Sequence, residues 1–367
     1  VYRNTQDSFE GAALLASNLP TTYYYDHDWV DNKEFFYWVV AKKSFAAEGE
    51  TPAYASSAAV KTENSVKMVS ADELNKMLGK QEYWSFATVP AGNASGYINV
   101  TSGNLVYEQI DTLLTAPLLS NTLRRTYNSQ STAMSAFGYG WDFSFNTNLL
   151  REYNGATGEE VGLILKDGDG TIHRFVKQED GSYRSPAGIF ITLTQREDGK
   201  FIAHRSDDIE YLFNESMMIE EFSEPNGNKL MFTYDNRGNL TKVMHSAYAT
   251  KQASEQQFIQ LDYGTETHNL DKIIGATCYY GEEGGLPQKQ VYQYTYDSTP
   301  DSVNYGRLID VRTTCVQTNS VIETNESGSE NVTSLPYQTV ISESYEYTDT
   351  EEGRTFAAKV PSNTSAS

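Results

Sequence analysis

Phe232-Thr233-Tyr234-Asp235-Asn236-Arg237-Gly238-Asn239-Leu240-Thr241-Lys242-Val243 is the stretch that decides the fold. Phe232 and Tyr234 lie two apart, the period of a strand. Asp235 and Asn236 start a turn, Gly238 supplies a positive φ, and Leu240 and Val243 return along a second strand. The same alternation recurs at Leu230, Phe232 and Tyr234, at Ile259, Leu261 and Tyr263, at Tyr292, Tyr294 and Tyr296, and at Tyr345 and Tyr347. The tyrosines closing the first three runs stand 29 and 33 residues apart, which is the spacing of repeating supersecondary units.

Composition agrees with a chain built from strands. Its 26 Tyr and 16 Phe favour a pleated surface, where a flat ring packs and a hydroxyl reaches a partner. The 367 residues suffice for two or three cores. Lys and Arg number 28 against 49 Asp and Glu, a formal charge of -21, which would repel a nucleic-acid backbone. No apolar run nears the roughly 20 residues of a membrane span. The chain opens at Val1 without an initiator Met and closes in a Ser- and Thr-rich tail, so both ends read as cuts from a longer protein. Cys278 and Cys315 lack zinc-site spacing and read as two buried thiols, with a single bridge left open.

Four segments follow from the pattern. Residues 1–65 carry short strands separated by turns, with the rhythm of half a β-sandwich. Residues 66–95 form a linker in which Ser70-Ala71-Asp72-Glu73 is a capping box and Leu74, Met77 and Leu78 share a face, predicting a short helix over 71–79 that Gly79 stops. From Gly96 onward the text is strands and Gly, Asn or Asp turns, divided into 96–230 and a repeat region, 231–367.

The Tyr234 unit resembles the YD repeat of rearrangement-hot-spot (Rhs) proteins, also found in teneurins and insecticidal toxin complexes. Degenerate copies follow at Leu261-Asp262-Tyr263 with Leu270 to Ile273, and at Tyr294-Thr295-Tyr296-Asp297 with Gly306 to Val311. Upstream, Gly96 to Val100, Ser102 to Val106, Arg125 to Ser129, Phe137 to Trp141, Tyr183 to Gly188 and Pro225 to Asn228 occur in the order of the region that opens an Rhs array. With Tyr83-Trp84-Ser85 ahead of it, the series is nearest to wall-associated proteins of Gram-positive bacteria. Tyr23 to Asp26, Trp29 and Phe35 to Ala41 resemble the later strands of a fibronectin type III domain, with Phe35 where a corner tyrosine would stand. The resemblance implies an all-β fold: a partial sandwich, then a long antiparallel strip that begins a hollow shell, in a secreted or wall-associated bacterial protein whose C-terminus carries a variable toxin. A self-cleaving aspartate element with an Asp-Pro step belongs to the end of such shells, and no Asp-Pro occurs here.

No catalytic, cofactor-binding or metal-binding residue is assigned. Asp167-Gly168-Asp169-Gly170-Thr171 offers oxygens to calcium but lacks the acidic residue that closes a full loop, and reads as a hairpin turn. Asp26, Asp28, Asp31 and Glu34 read as a solvated loop. His27, His173, His204, His245 and His268 are scattered, without metal or triad spacing. Asn-x-Ser/Thr triplets, as at Asn93 and Asn331, would matter only in a eukaryotic secretory pathway.

The leading expectation is therefore a non-enzymatic structural segment whose main partner is the rest of its own chain. The alternative is an adhesion or carbohydrate-binding module, with Tyr23-Tyr24-Tyr25, Trp38 and Trp84 as a stacking platform for wall or cell-surface sugar. A hydrolase would need converging carboxylates. An open strip also implies a free final edge, so residues beyond about 315 are expected to be loosely held, with the acidic run Glu343, Glu346, Asp349, Glu351 and Glu352 deterring further pairing.

Overall fold

The computed structural model describes residues 1–4, 6–17, 19, 34–45, 53–62, 66–67, 76–91, 94–114, 121–131, 133–154, 157–266, 268–283, 286–300, 302–324, 330–350 and 353–359. The chain divides into two compact units, residues 1–75 with 151–163, and residues 76–150 with 164–367. In the first, Tyr2–Asn4 pairs antiparallel with Ala13–Leu14 and with Glu34–Val39, which in turn pairs with Val60–Lys61 and Val66–Lys67. Lys42–Phe45 and Ala53–Ser56 form a separate hairpin. Trp38 is buried at 5% exposure, with Phe9 tilted against it at 6.0 Å.

The fold is all-β, as the alternating tyrosines imply. Among the described residues, sixteen strands make one antiparallel sheet in chain order, from Asn148–Tyr153 to Gly353–Lys359. A second sheet of five strands runs Trp141–Phe143, Asn121–Asn128, Leu105–Leu114, Ala94–Asn99, Phe86–Ala91. The apolar residues of each period-2 run turn to one side: Phe201, Phe213, Leu230, Phe232, Val243, Ile259, Leu261 and Tyr292 are all buried. In the register, Phe232, Val243, Ile259 and Cys278 lie side by side on four successive strands, so this row is continuous core.

That register separates the two cysteines. Cys278 and Cys315 both oppose Gln290, one on each neighbouring strand. Two strand spacings put their backbones about 10 Å apart, beyond the roughly 7 Å a disulfide spans. They do not pair in this fold.

The helix expected over 71–79 lies outside the described residues up to Asn75, and from Lys76 onward it is absent. Met77 has φ 52° and Gly79 φ 75°, both left-handed, which a right-handed helix cannot contain. Other partners take the backbone instead. Gly79 N–H donates to Asn128 Oδ1 at 2.7 Å, Lys80 N–H to Asp169 Oδ2 at 2.9 Å, and the Thr171 hydroxyl to Leu78 O at 3.2 Å. The described α-helix is a single turn, Ser246–Ala249, too short to leave an apolar period in the sequence.

His245 caps that turn, its Nδ1 accepting from Ala247 N–H at 3.0 Å, and burial holds its imidazole below the usual histidine range. An unfolded chain takes up this proton near pH 6.5, so below that the unfolded state binds more protons and gains on the folded one. The melting temperature is expected to fall from pH 7.5 to 5.5 more steeply for the parent than for His245→Asn, which keeps an N-cap without the titration. Parallel thermal melts at the two pH values check this.

Candidate functional site

Each repeat closes with the same arrangement of backbone and ring. A bulge falls just before the last residue of the outgoing strand, between Leu212 and Phe213, Thr233 and Tyr234, Asp262 and Tyr263, and Thr295 and Tyr296. The closing residue then faces the first residue of the returning strand: Phe213 opposite Ile219, Tyr234 opposite Leu240, Tyr263 opposite Ile273, Tyr296 opposite Leu308. Two residues before that return sits a positive φ, supplied by Met217, Gly238, Asp271 and Gly306.

The tyrosines link one unit to the next. Tyr234 donates to Ile219 O at 2.7 Å, Tyr263 to Leu240 O at 3.0 Å, Tyr296 to Ile273 O at 2.7 Å and Tyr347 to Leu308 O at 2.6 Å. In every case the acceptor is the residue opposite the previous unit's closing ring. Bulges pull strands out of register and leave carbonyls short of ladder partners, and the hydroxyl fills that need. Burial raises all four phenols above their ordinary pKa, so they remain donors.

Tyr263→Phe should then strand the Leu240 carbonyl, at a cost of about 1–3 kcal/mol. Tyr280, an exposed residue whose hydroxyl bonds Gln290, is the control and should change little when made Phe. Urea titration of both variants gives the comparison.

The five-stranded sheet grips the last units of this ladder through a buried charge. Arg125 is fully buried, its Nε and Nη2 donating to Asp111 at 2.6 and 2.7 Å and its Nη1 to the Tyr345 hydroxyl at 3.0 Å. Tyr294 donates to Asp111 Oδ2 at 2.6 Å, and Tyr345 to Glu343 Oε2 at 2.8 Å. Burial opposes the charge on Arg125, yet Asp111 and the tyrosine oxygens outweigh it and push its pKa above the ordinary value. The guanidinium also lies 5.2 Å from the Trp141 ring, while Trp141 Nε1 donates to the Tyr347 hydroxyl at 2.7 Å. Phe356 stacks on Tyr127 with centroids 4.4 Å apart. These buried ionisable groups serve as cross-links between two sheets.

The residues weighed for chemistry are employed otherwise or lie apart. Asp167 to Thr171 form a hairpin turn, with Asp167 N–H donating to Thr171 O. Both Asp169 oxygens accept backbone N–H groups, from Thr171 and Lys80, and Asp167 Oδ2 sits 3.0 Å from His173 Nε2. His204 pairs with Glu210 and Asp208 at the surface, His268 lies near Glu266, and His245 caps its helix; no two of these histidines meet. Among the described residues no three His, Cys, Asp or Glu gather as a metal site. His27, the acidic residues Asp26, Asp28 and Asp31, Tyr23 to Tyr25 and Asn93 lie outside the described residues, and Glu34 is described in backbone alone. Trp38 is core, so it offers no stacking face. Sequence reading missed Asp111 and Arg125 as partners, since nothing local in a strand announces a pair fourteen residues apart across a hairpin. It also missed the first repeat, where Phe213 and Met217 replace the tyrosine and glycine.

Residues 96–175 match the family model described as a domain of unknown function (DUF6531). Over 167 residues, 45% of this chain, the sequence is 31% identical to the tRNA3(Ser)-specific nuclease WapA of Bacillus spizizenii and 30% identical to the tRNA nuclease WapA of Bacillus subtilis. The matched stretch spans 7% of each of those proteins. A crystal structure of TcdB2-TccC3-TEV aligns over 86% of this chain and 22% of its own, at 12% identity and a TM-score of 0.22. No helix among the described residues is long and apolar enough to cross a membrane.

Proposed function

We propose that this chain is a non-catalytic structural segment of a secreted, wall-associated Rhs/YD-repeat protein, the start of a β-shell that encloses or displays a C-terminal toxin in competition between bacteria. The tyrosine ladder carries the reading. A bond repeated from unit to unit, each hydroxyl using a carbonyl set by the unit before, is what a long wall of successive hairpins needs and what a closed enzyme domain does not. In this reading residues 96–230 open the array, 231–367 are its first repeats, 66–95 link it to a partial fibronectin type III-like domain at 1–65, and the chain's principal partner is the rest of the same protein. The names of the similar Bacillus proteins are those of nucleases. The similarity covers only a small part of their length, and we place such an activity elsewhere in a chain of this kind.

Incubating residues 1–367 with tRNA tests the assignment. The RNA should remain intact, while a longer natural protein carrying a downstream toxin should protect that toxin from trypsin and lose the protection when Arg125 is replaced. RNA cleavage by residues 1–367, or a downstream domain equally protected in both forms, overturns it.

A further inference from the structure

Four hairpins of the long sheet close in the same way, and one of them differs in a single residue. Gly170, Gly181, Gly199 and Gly227 have φ between 84° and 91°. Each donates its N–H to the carbonyl three residues back, that of Asp167, Gln178, Arg196 and Glu224 in turn, at 2.9–3.0 Å. The residue before each glycine accepts, through Oδ1, from the N–H two places ahead: Asp169 from Thr171 at 2.8 Å, Asp180 from Ser182 at 2.9 Å, Asp198 from Lys200 at 3.2 Å and Asn226 from Asn228 at 3.0 Å. We infer that Asn226 is a modification site, which deamidates spontaneously in the folded chain to the aspartate that its sister turns already hold.

The step needs only water and hydroxide. Hydroxide removes the Gly227 N–H proton and the nitrogen attacks Asn226 Cγ. The Cγ–Nδ2 bond then breaks, Nδ2 takes a proton from water and leaves as ammonia, and hydroxide is restored. Water opens the resulting succinimide to aspartate, or to isoaspartate when it attacks the other carbonyl. Glycine favours the closure, because no Cβ stands beside the attacking nitrogen. A Cβ built at Gly227 would meet no atom within 4 Å, and Pro225, Asn226 and Gly227 are all exposed, so hydroxide has free access. In the other three turns the same position is a carboxylate, which has no amide to lose.

While the turn is closed, both reacting groups are held. The Gly227 N–H is committed to Glu224 O, Asn226 Oδ1 to Asn228, and Asn226 Nδ2 donates to Glu224 Oε2 at 3.1 Å. All of these bonds lie within residues 224–228, and an exposed turn opens at far less cost than a whole domain. The reaction therefore runs from the locally opened hairpin, without global unfolding. Beside the Glu224 carboxylate an amide donates where an aspartate would repel. Conversion removes that bond, sets two carboxylates side by side and leaves the turn easier to open, with one more negative charge on a chain that already carries -21.

Incubating the 367-residue chain at mildly alkaline pH and digesting it with trypsin isolates Asn226 in the peptide 206–229, apart from the other Asn-Gly step at Asn154. A gain of about 1 Da, the exchange of an amide NH2 for OH, should appear in that peptide from the folded protein. Urea below the unfolding transition should scarcely change the rate, because opening one turn exposes little surface. Glu224→Ala, which frees the carboxamide, should speed the reaction about two- to tenfold, the equilibrium value of one hydrogen bond. Near-UV circular dichroism verifies that this variant is folded, and Asn226→Asp should keep the parent's spectrum, since it builds the turn found at Asp180 and Asp198. The inference fails if the folded chain gains no mass at Asn226, if the rate climbs with urea as steeply as global unfolding does, or if Glu224→Ala leaves it unchanged. None of these outcomes touches the shell reading, which rests on the tyrosine ladder.

Discussion

Arg125→Ala is expected to lower stability by about 3–5 kcal/mol, because it leaves the buried Asp111 carboxyl without its guanidinium partner. Asp111 and Arg125 are 8% and 0% exposed, so water cannot replace the lost partner without opening the sheet. Tyr345 loses a donor in the same substitution, and the Tyr294 hydroxyl is left as a donor to a carboxyl group that is buried without its cation. Since native domains hold only about 5–15 kcal/mol in all, the variant should denature at a much lower urea concentration. The double change Arg125→Met with Asp111→Leu should be milder than the single one, as it removes both charges of the pair; the Tyr294 hydroxyl then needs a new partner, at about 1 kcal/mol, while Tyr345 keeps Glu343, which loses only a cation 3.8 Å away. A single variant as stable as the double one would show that the pair is solvated in solution.

How much of this could be read from the chain depends on the range of the interaction. Period-2 runs ending in Tyr234, Tyr263 and Tyr296 are local, and each is a strand, with the positive φ of its turn at Gly238, Asp271 and Gly306 in order. The bond from each tyrosine to the preceding unit is not local, but its regularity follows once the units are aligned. Copies that swap the marker residue hide better: Met217 occupies the left-handed position that glycine takes elsewhere, held by Asn214, whose side chain accepts from the N–H groups of Ser216 and Met218. The capping box at Ser70 is a fair local signal for a helix start, yet by Met77 the chain obeys Asn128 and Asp169, residues far away in sequence. Arg125 illustrates the limit. A charged residue in a strand reads as surface until its partners are known.

The final strands carry the second large effect. A strip cut from a repeat array has an open edge, which predicts loose residues beyond about 315. For the last two strands another force decides. Tyr345 and Tyr347 are 2% and 5% exposed, and Phe356 lies 4.4 Å from Tyr127, 5.7 Å from Tyr345 and 5.6 Å from Tyr347. Glu343, counted among the deterrent acids, accepts from Tyr345 and stands 3.8 Å from Arg125, so part of that acidic run faces a cation rather than solvent. Ending the chain after Glu343 would uncover Tyr107, Tyr127 and Trp141, each buried at 1–2% exposure. Losing one large core side chain costs about 3–5 kcal/mol; losing three together matches the whole stability of a typical domain. The truncated protein is therefore expected to lose near-UV circular dichroism and the slow amide exchange of the strand Asn121–Asn128, whereas in the full chain the amides of Tyr345 and Tyr347 should exchange as slowly as those of Arg125 and Tyr127. Fast exchange at Tyr345 and Tyr347, with 121–128 still protected, would restore the open strip and make the aromatic cluster a late and dispensable contact.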